Sequence, residues 1–162
     1  MRRKEKNYAF IDSQNVNLSV QELGWKLDFR KFFVYLREKY QVKKAYLFIG
    51  YLEGNQNLYK SLQEFGYVLI FKPILENSDG RVKGNVDAEL VLYAMIDYKK
   101  YEKAVIVTND GDFFCLVDYF YAKNKLKKIV SPNRHSCSAL LKIAAKEKID
   151  FVDYQRGKLK RK

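Results

Sequence analysis

Short apolar runs alternate with segments of helical spacing along almost the whole of this 162-residue chain. The runs are rich in β-branched and aromatic residues, which is typical of strands buried on both faces. Strands that alternate with helices form a parallel sheet with helices packed on both faces. Because crossovers between parallel strands are right-handed, few topologies remain, and the simplest has strand order 3-2-1-4-5. The pattern therefore predicts a three-layer α/β fold.

The predicted strands cover residues 8–11, 45–49, 67–71, 105–107 and 128–130, with a short final strand at 150–152. The predicted helices cover residues 29–40, 57–65, 86–98, 112–123 and 136–145. A polar connection through Gly24 and Trp25 is expected after the first strand. Residues 81–83 are expected to pair with the residues before a turn at 77–80.

Residues 1–155 are predicted to form a single domain, followed by a basic, disordered tail at 156–162. No apolar run approaches the roughly 18 residues of a membrane span. The charged N-terminus has no signal-peptide pattern. Cys115 and Cys137 lack metal-ligand spacing and are expected to be reduced thiols. These features predict a cytoplasmic protein with no membrane contact.

Basic residues greatly outnumber acidic ones: 31 Lys and Arg against 19 Asp and Glu give a formal net charge of +12. Such an excess favours a polyanionic partner, and nucleic acid is the usual one. A soluble protein that is merely basic is the alternative. An anionic membrane surface fits less well, because no segment is both strongly basic and strongly amphipathic.

Acidic residues follow the first and fourth predicted strands. Asp12 ends the first strand, while Asp110 and Asp112 come after the fourth. Ligands bind outside the carboxyl ends of parallel strands, where the strand order reverses, and these two strands lie side by side at that point. Asp87, in the first turn of the preceding helix, is expected beside the same crevice. For each acid taken singly, helix capping or a favourable helix-dipole interaction is the alternative.

Several carboxylates in one crevice predict a bound cation. Two unit charges about 4 Å apart interact by roughly 4 kcal/mol at an effective dielectric near 20, so close carboxylates do not all stay ionised unless a cation lies among them. Oxygen ligands without histidine suit Mg²⁺ or Mn²⁺. Such an ion activates water and stabilises charge on a phosphate. A basic protein with this crevice is predicted to be a phosphodiesterase acting on nucleic acid.

Three segments, IDSQN at 11–15, KGNVD at 83–87 and TNDGDF at 108–113, resemble the signatures of NYN domains. These domains belong to the PIN-like nuclease superfamily, and the chain is most similar to the LabA-like branch from residue 8 to about 153. The resemblance implies a PIN-like sheet and metal-dependent cleavage of RNA. We expect this cleavage to be endonucleolytic and to act on single-stranded RNA. By the family pattern, the catalytic and metal-binding acids are Asp12, Asp87, Asp110 and Asp112.

Four further residues in the three motifs are expected to bind or position the substrate: Asn15, Lys83, Thr108 and Asn109. Of these, Asn15 belongs to the family pattern as a polar member of the site. The ammonium group of Lys83 is expected to hold a substrate phosphate near the metal, and a lysine that is merely solvated is the alternative. Many relatives have glycine in place of Ser13 and a Ser-Gly pair in place of Thr108 and Asn109. Neither departure removes a carboxylate, so both concern substrate positioning rather than metal binding.

Competing chemistries lack their motifs. The sole histidine, His135, lies in a loop after the fifth strand, and the chain has no nucleophile elbow for a Ser-His-Asp triad. It has no Walker or dinucleotide-binding glycine loop, so no nucleotide cofactor is expected. Among the aromatic residues, Phe10, Phe48 and Phe71 are expected in the core, whereas Trp25 and Tyr51 are candidates for stacking on unpaired bases.

Two other functions remain open on the sequence. A non-catalytic RNA-binding module would keep the fold and its basic surface, and a regulatory interaction domain would carry the charge incidentally. DNA is an alternative substrate to RNA, and a homodimer is one of the open oligomeric states. Intact acids in all three motifs favour the nuclease.

Overall fold

The computed structural model describes residues 3–76, 82–83 and 86–162, with a six-stranded parallel sheet at the centre. The strands are β1 (Asn7–Asp12), β2 (Val42–Tyr51), β3 (Val68–Pro73), β4 (Leu75–Glu76), β5 (Val82–Lys83), β6 (Ala104–Val107), β7 (Leu126–Ser131) and β8 (Ile149–Phe151). The order in the main sheet is β3-β2-β1-β6-β7-β8. Counting only strands of the main sheet, this confirms the order 3-2-1-4-5, with β8 added at the edge.

Helices cover both faces of this sheet. They are α1 (Ser13–Gln21), α2 (Phe29–Tyr40), α3 (Gln56–Phe65), α4 (Asp87–Ile96), α5 (Phe114–Ala122), α6 (Ala139–Ala145) and α7 (Arg156–Leu159). One core, called the α1–α3 core, contains buried residues of α1, α2, α3 and α7. A second, called the α4–α6 core, contains those of α4, α5 and α6. The three-layer α/β fold is therefore confirmed.

Strand β1 shows why helices must pack on both faces of the sheet. Phe10 packs into the α4–α6 core, whereas Ala9 and Ile11 pack into the α1–α3 core. All three side chains are fully buried. Since successive side chains of a strand point to opposite faces, an unbroken apolar run places apolar groups in both cores.

Helix α1 is the main element that the sequence analysis missed, since a polar connection was expected there. Its sequence, SQNVNLSVQ, is mostly polar, and its buried apolar side chains are Val16 and Val20. These are four residues apart and so share one face of the helix. Asp12 caps the helix by accepting a hydrogen bond from the Asn15 backbone N–H at 3.3 Å. The cap and the packing of this narrow apolar stripe into the core therefore stabilise the helix.

The expected hairpin is confirmed where the structure describes it. Leu75 pairs with Lys83 and Glu76 pairs with Val82 in an antiparallel ladder. The turn at 77–80 and Arg81 lie outside the described residues. The helix predicted from residue 112 begins instead with the 3₁₀ turn Gly111–Phe113, and α5 starts at Phe114.

The C-terminal tail was expected to be disordered, and this expectation is wrong. Residues Arg156–Leu159 form α7, and the Leu159 side chain is fully buried in the α1–α3 core. The Asp28 N–H donates to the Leu159 carbonyl at 2.9 Å, and the Arg161 N–H donates to the Lys26 carbonyl at 2.8 Å. One leucine among basic residues thus attaches the tail to the domain.

Two aromatic assignments also change. Trp25, a stacking candidate, is 7% exposed and packs in the α1–α3 core. Phe71, expected in the core, is 37% exposed because it lies on the edge strand β3, while Phe10 and Phe48 are buried as expected. Tyr51 remains exposed at the end of β2.

Both cysteines are free thiols, Cys115 exposed and Cys137 buried. Within residues 3–76, 82–83 and 86–162, no helix is long and apolar enough to span a bilayer.

Candidate metal centre

The central strands β1 and β6 bring distant parts of the chain to one edge of the sheet. The two strands run in parallel, with Ile11 opposite Val107, so the chain leaves both strands on the same side of the sheet, at their carboxyl ends. Asp12 is the last residue of β1, and Asp110 lies in the loop after β6. Asp87 is the first residue of α4, which packs against β1. The fold thus brings these three acids to the carboxyl ends of the central strands.

Asp12, Asp87 and Asp110 form one cluster. Each offers a carboxylate oxygen, and these oxygens all lie within 4.8 Å of one another. Asp12 is 6% exposed, while Asp87 and Asp110 are half-buried. Three acids open to solvent on one side can ligate a hard cation and leave room for water or substrate oxygens.

Burial and the neighbouring carboxylates change the titration of Asp12. Loss of solvent raises the pKa of the Asp12 carboxyl to about 6, and the charges of Asp87 and Asp110 act in the same direction. Hydrogen bonds from the Asn15 N–H and the Thr108 hydroxyl oppose this change in pKa. Without a cation, the cluster therefore holds its negative charge at a cost in free energy.

Asp12 and Asp110 also cap helices, as the alternative interpretation proposed. The Asp12 carboxylate caps α1, and the Asp110 carboxylate accepts the Asp112 N–H at 2.8 Å. An ionised carboxylate has about four lone-pair sites, so a capping bond leaves capacity for a cation. Capping fixes the direction of each side chain and is compatible with metal binding.

Asp112 does not join the cluster. Its side chain is exposed, and the cluster of described acids consists of Asp12, Asp87 and Asp110. The expectation that it converges with the other acids is not met in the structure. The 3₁₀ turn that begins at Gly111 separates its side chain from that of Asp110, which caps the turn.

Thr108 and Asn109 are buried beneath the cluster. Thr108 is fully buried, and its hydroxyl accepts the Asp110 N–H at 3.1 Å. Asn109 is 4% exposed and donates through Nδ2 to the Asn133 carbonyl and to Ser136 Oγ, each at 2.9 Å. Its polar groups are therefore used within the protein, which makes both residues positioning residues in this structure.

Asn15 connects α1 to the loop after β6. Its Oδ1 accepts the Asn109 N–H at 2.8 Å. The loop that carries Asp110 is thereby tied to the helix that Asp12 caps. The side chain of Lys83 lies outside the described residues, so its contact with phosphate stays a prediction.

Sequence analysis missed the residues that hold this loop from the other side. Ser131 donates to Asn109 Oδ1 at 2.5 Å, and the Ser138 N–H donates to the Asn109 carbonyl at 3.1 Å. A Cβ on Gly111 would overlap the side chain of Ser138, so only glycine allows this approach. The only signal in the sequence is the segment SPNRHSCS at 131–138, whose serines, proline and asparagine by themselves indicate a loop.

Comparisons with known proteins bear on the family and the fold of this chain. The family model of the NYN domain matches residues 7–152. The low amplitude and bright protein LabA of Synechococcus elongatus is 26% identical over 132 residues, which is 75% of this chain and 71% of LabA. The crystal structure of a protein of unknown function from Vibrio parahaemolyticus matches with a TM-score of 0.77 and 23% identity, over 94% of this chain and 97% of that one. This last likeness supports the fold.

Proposed function

Since the chain belongs to the NYN domain family, we propose that it is a divalent-metal-dependent endoribonuclease acting on single-stranded RNA. The observation that carries the proposal is the convergence of Asp12, Asp87 and Asp110 at the carboxyl edge of the central strands. The net charge of +12 on the whole chain supports a polyanionic substrate.

The donor set fits Mg²⁺ or Mn²⁺. All three ligands are carboxylate oxygens, and hard divalent cations prefer oxygen. Such an ion supplies an activated water and offsets the charge that develops on the phosphate. Asp12, Asp87 and Asp110 would hold the ion, and the Thr108 hydroxyl orients Asp12 by a hydrogen bond to its carboxylate. Thr108 and Asn109 act by positioning the loop.

Asp112 and Lys83 complete the proposed site from its rim. Asp112 is exposed beside Asp110 and contributes through solvent or a bound water rather than from within the cluster. Lys83, in the same motif as Asp87, would bind a substrate phosphate through its ammonium group. We therefore expect a smaller loss of activity at Asp112 than at the three clustered acids.

The decisive experiment incubates labelled single-stranded RNA and DNA with the protein in Mg²⁺, Mn²⁺ or EDTA. We expect internal cleavage of RNA with metal and none in EDTA. Asp12→Asn should abolish cleavage, whereas Asp118→Asn, at an exposed acid of α5, should cleave normally. Asn preserves the α1 cap, because it caps helices as well as Asp does.

A second readout separates metal binding from chemistry. In the absence of RNA, Mn²⁺ should raise the melting temperature of the wild type more than that of Asp12→Asn. Salt-dependent RNA binding without cleavage in any metal would overturn the nuclease and favour a non-catalytic RNA-binding module. Cleavage of DNA alone would overturn the choice of RNA.

A further inference from the structure

We propose that a pocket beside the acidic cluster, between α1, the end of β2 and α3, binds one unpaired base of the nucleic-acid strand. The proposal rests on the proposed function only for the identity of the strand, and its test needs no cleavage. The pocket has a volume of about 310 Å³.

The pocket adjoins the candidate metal centre at the start of α1. Ser13, which lines the pocket, directly follows Asp12 in the chain, and consecutive Cα atoms lie about 3.8 Å apart. A base in the pocket therefore belongs to a nucleotide close to the phosphate at the acidic cluster. The two sites would hold neighbouring parts of one strand.

The inner surface of the pocket suits the flat face of a base. Tyr59, Ile49 and Ile74 line it with apolar and aromatic groups. A Cβ on Gly50 would overlap the Ile74 side chain, so glycine lets Ile74 close this side. Unpaired bases are commonly recognised by stacking on aromatic and apolar side chains.

Three side-chain amides line the same pocket: Gln14, Asn17 and Asn55. Hydrogen bonds within the described part of the chain involve none of these three amide groups. Asn55 is notable because it precedes α3 and is of a type that usually caps a helix, yet its side chain makes no capping bond. Each amide presents a donor and an acceptor, which is the pairing that base edges require.

An exposed ring extends the aromatic wall. The Tyr51 ring lies 5.8 Å from the Tyr59 ring and 5.5 Å from the Phe71 ring, measured between centroids. Tyr51 is 40% exposed, so a base beyond the pocket could stack on it. The three rings and the amides together are typical of a surface that binds bases rather than phosphates alone.

The test compares two hexamers of equal length and charge, one of adenylate and one of abasic ribose phosphate. Binding is measured by fluorescence anisotropy in EDTA at fixed salt, so that no strand is cleaved. Equal charge cancels the contribution of phosphates, and the ratio of the two affinities isolates that of the bases. We expect the wild type to bind the adenylate hexamer at least about five-fold more tightly.

The variant Gln14→Ala/Asn17→Ala/Asn55→Ala should lower this ratio several-fold, because the hydrogen bonds to the base edge are lost while stacking on the aromatic rings remains. Its melting temperature should stay near that of the wild type, since the three amides bond to no described protein group. The matched control Gln21→Ala/Gln63→Ala removes exposed amides from α1 and α3 outside the pocket and should keep the ratio.

A wild-type ratio near one would overturn the proposal, and so would a ratio that is unchanged in the triple variant. If cleavage fails in every metal but the ratio behaves as expected, the base pocket stands and the nuclease function does not. If cleavage occurs without base discrimination, the reverse holds.

Discussion

At the residue scale, the environment of Asp12 determines the stability of the acidic cluster. Its carboxylate is almost completely buried, caps α1, and faces two other acids. A buried cap is stabilising, but a buried charge beside two like charges is destabilising. The balance between these effects depends on pH and on the presence of a cation.

The raised pKa of Asp12 predicts a pH-dependent stability for the metal-free protein. The carboxyl has a pKa of about 6 in the folded state against an ordinary value of 3.8, so the folded protein binds its proton more tightly. Stability from this group is therefore full below pH 3.8 and falls as the pH rises through about 6. The total loss is roughly 3 kcal/mol, because each tenfold difference in proton affinity between the folded and unfolded states corresponds to about 1.4 kcal/mol.

Urea unfolding at a series of pH values in EDTA checks this prediction. Asp12→Asn removes the titration, so its stability relative to the wild type should increase between pH 4 and 7. A constant difference across that range would show that Asp12 does not titrate as proposed. Added Mn²⁺ should restore the wild type preferentially.

Asn15 supplies the acceptor for a buried backbone donor. Asn15→Ala leaves the N–H of Asn109 without its partner, which costs about 1–3 kcal/mol for a buried group. We expect lower stability in urea and several-fold slower RNA cleavage, because the loop that carries Asp110 loses an attachment. Gln21→Ala, at the exposed end of α1, should change neither. Equal behaviour of the two variants would contradict the role of Asn15.

Lys83 lies in the short ribbon formed by β4 and β5, in the motif that also contains Asp87. Lys83→Ala is expected to slow RNA turnover at least several-fold through loss of a phosphate contact. Lys43→Ala removes an exposed lysine near the start of β2, at the amino ends of the strands and so away from the acidic cluster. It should leave turnover unchanged. Equal losses in both variants would make Lys83 part of the general positive charge.

At the element scale, α7 shows how a very short helix can be retained. It has one turn, and its stability comes from the burial of Leu159 rather than from helix propensity. Its backbone neighbours pair with the segment before α2, where Leu27 and Lys160 form an antiparallel bridge. The tail is therefore a packed element of the fold.

Leu159→Ala should lower the free energy of unfolding by about 2–5 kcal/mol, the usual cost of truncating a buried leucine. Hydrogen exchange at residues 156–162 should become faster. Leu140→Ala, at a leucine that is 50% exposed, should have little effect on stability. If exchange in the tail is already as fast in the wild type, the tail does not pack as described.

At the scale of the whole molecule, part of the positive charge is concentrated on one surface. One surface pocket is lined by five basic residues together with Gly24 and Trp25: Lys26, Arg156, Lys160, Arg161 and Lys162. The packed tail supplies most of these charges. Packing of the tail thus places basic side chains on the surface of the folded domain, where they can contact an RNA strand.

Salt dependence measures that contribution. For single strands, log K falls with log salt with a slope of about −0.7 per phosphate contacted. Lys160→Ala/Arg161→Ala/Lys162→Ala should flatten the slope and weaken RNA binding, while cleavage at saturating RNA stays nearly unchanged. These substitutions keep Leu159, so the fold is preserved.

The control for this prediction removes the same number of charges near the amino ends of the strands, away from the acidic cluster. Lys43→Ala/Lys99→Ala/Lys123→Ala changes exposed lysines near the start of β2 and the ends of α4 and α5. Its salt slope should match the wild type. Equal flattening in both variants would mean that RNA is attracted by net charge alone.

Most of the fold could be predicted from sequence, because strand and helix patterns are local and crossover handedness is general. Those rules place the ends of β1 and β6 side by side, and hence Asp12 near Asp110. Helix α1 escaped prediction because its apolar signal is only Val16 and Val20, and its stability depends on a cap and on tertiary packing.

The sequence by itself determined the strand order, the edge of the sheet where the site lies, and the excess of positive charge. Only the tertiary structure decided that Asp87 completes the cluster while Asp112 stays outside, since side-chain directions in a loop depend on its caps and on its contacts. Likewise, the burial of Asn109 depends on Ser131 and Asn15, which come from different elements. A local sequence pattern carries no information on partners that are distant in the chain. Those partners are determined in the folded protein by close packing and by the need of buried polar groups for hydrogen bonds.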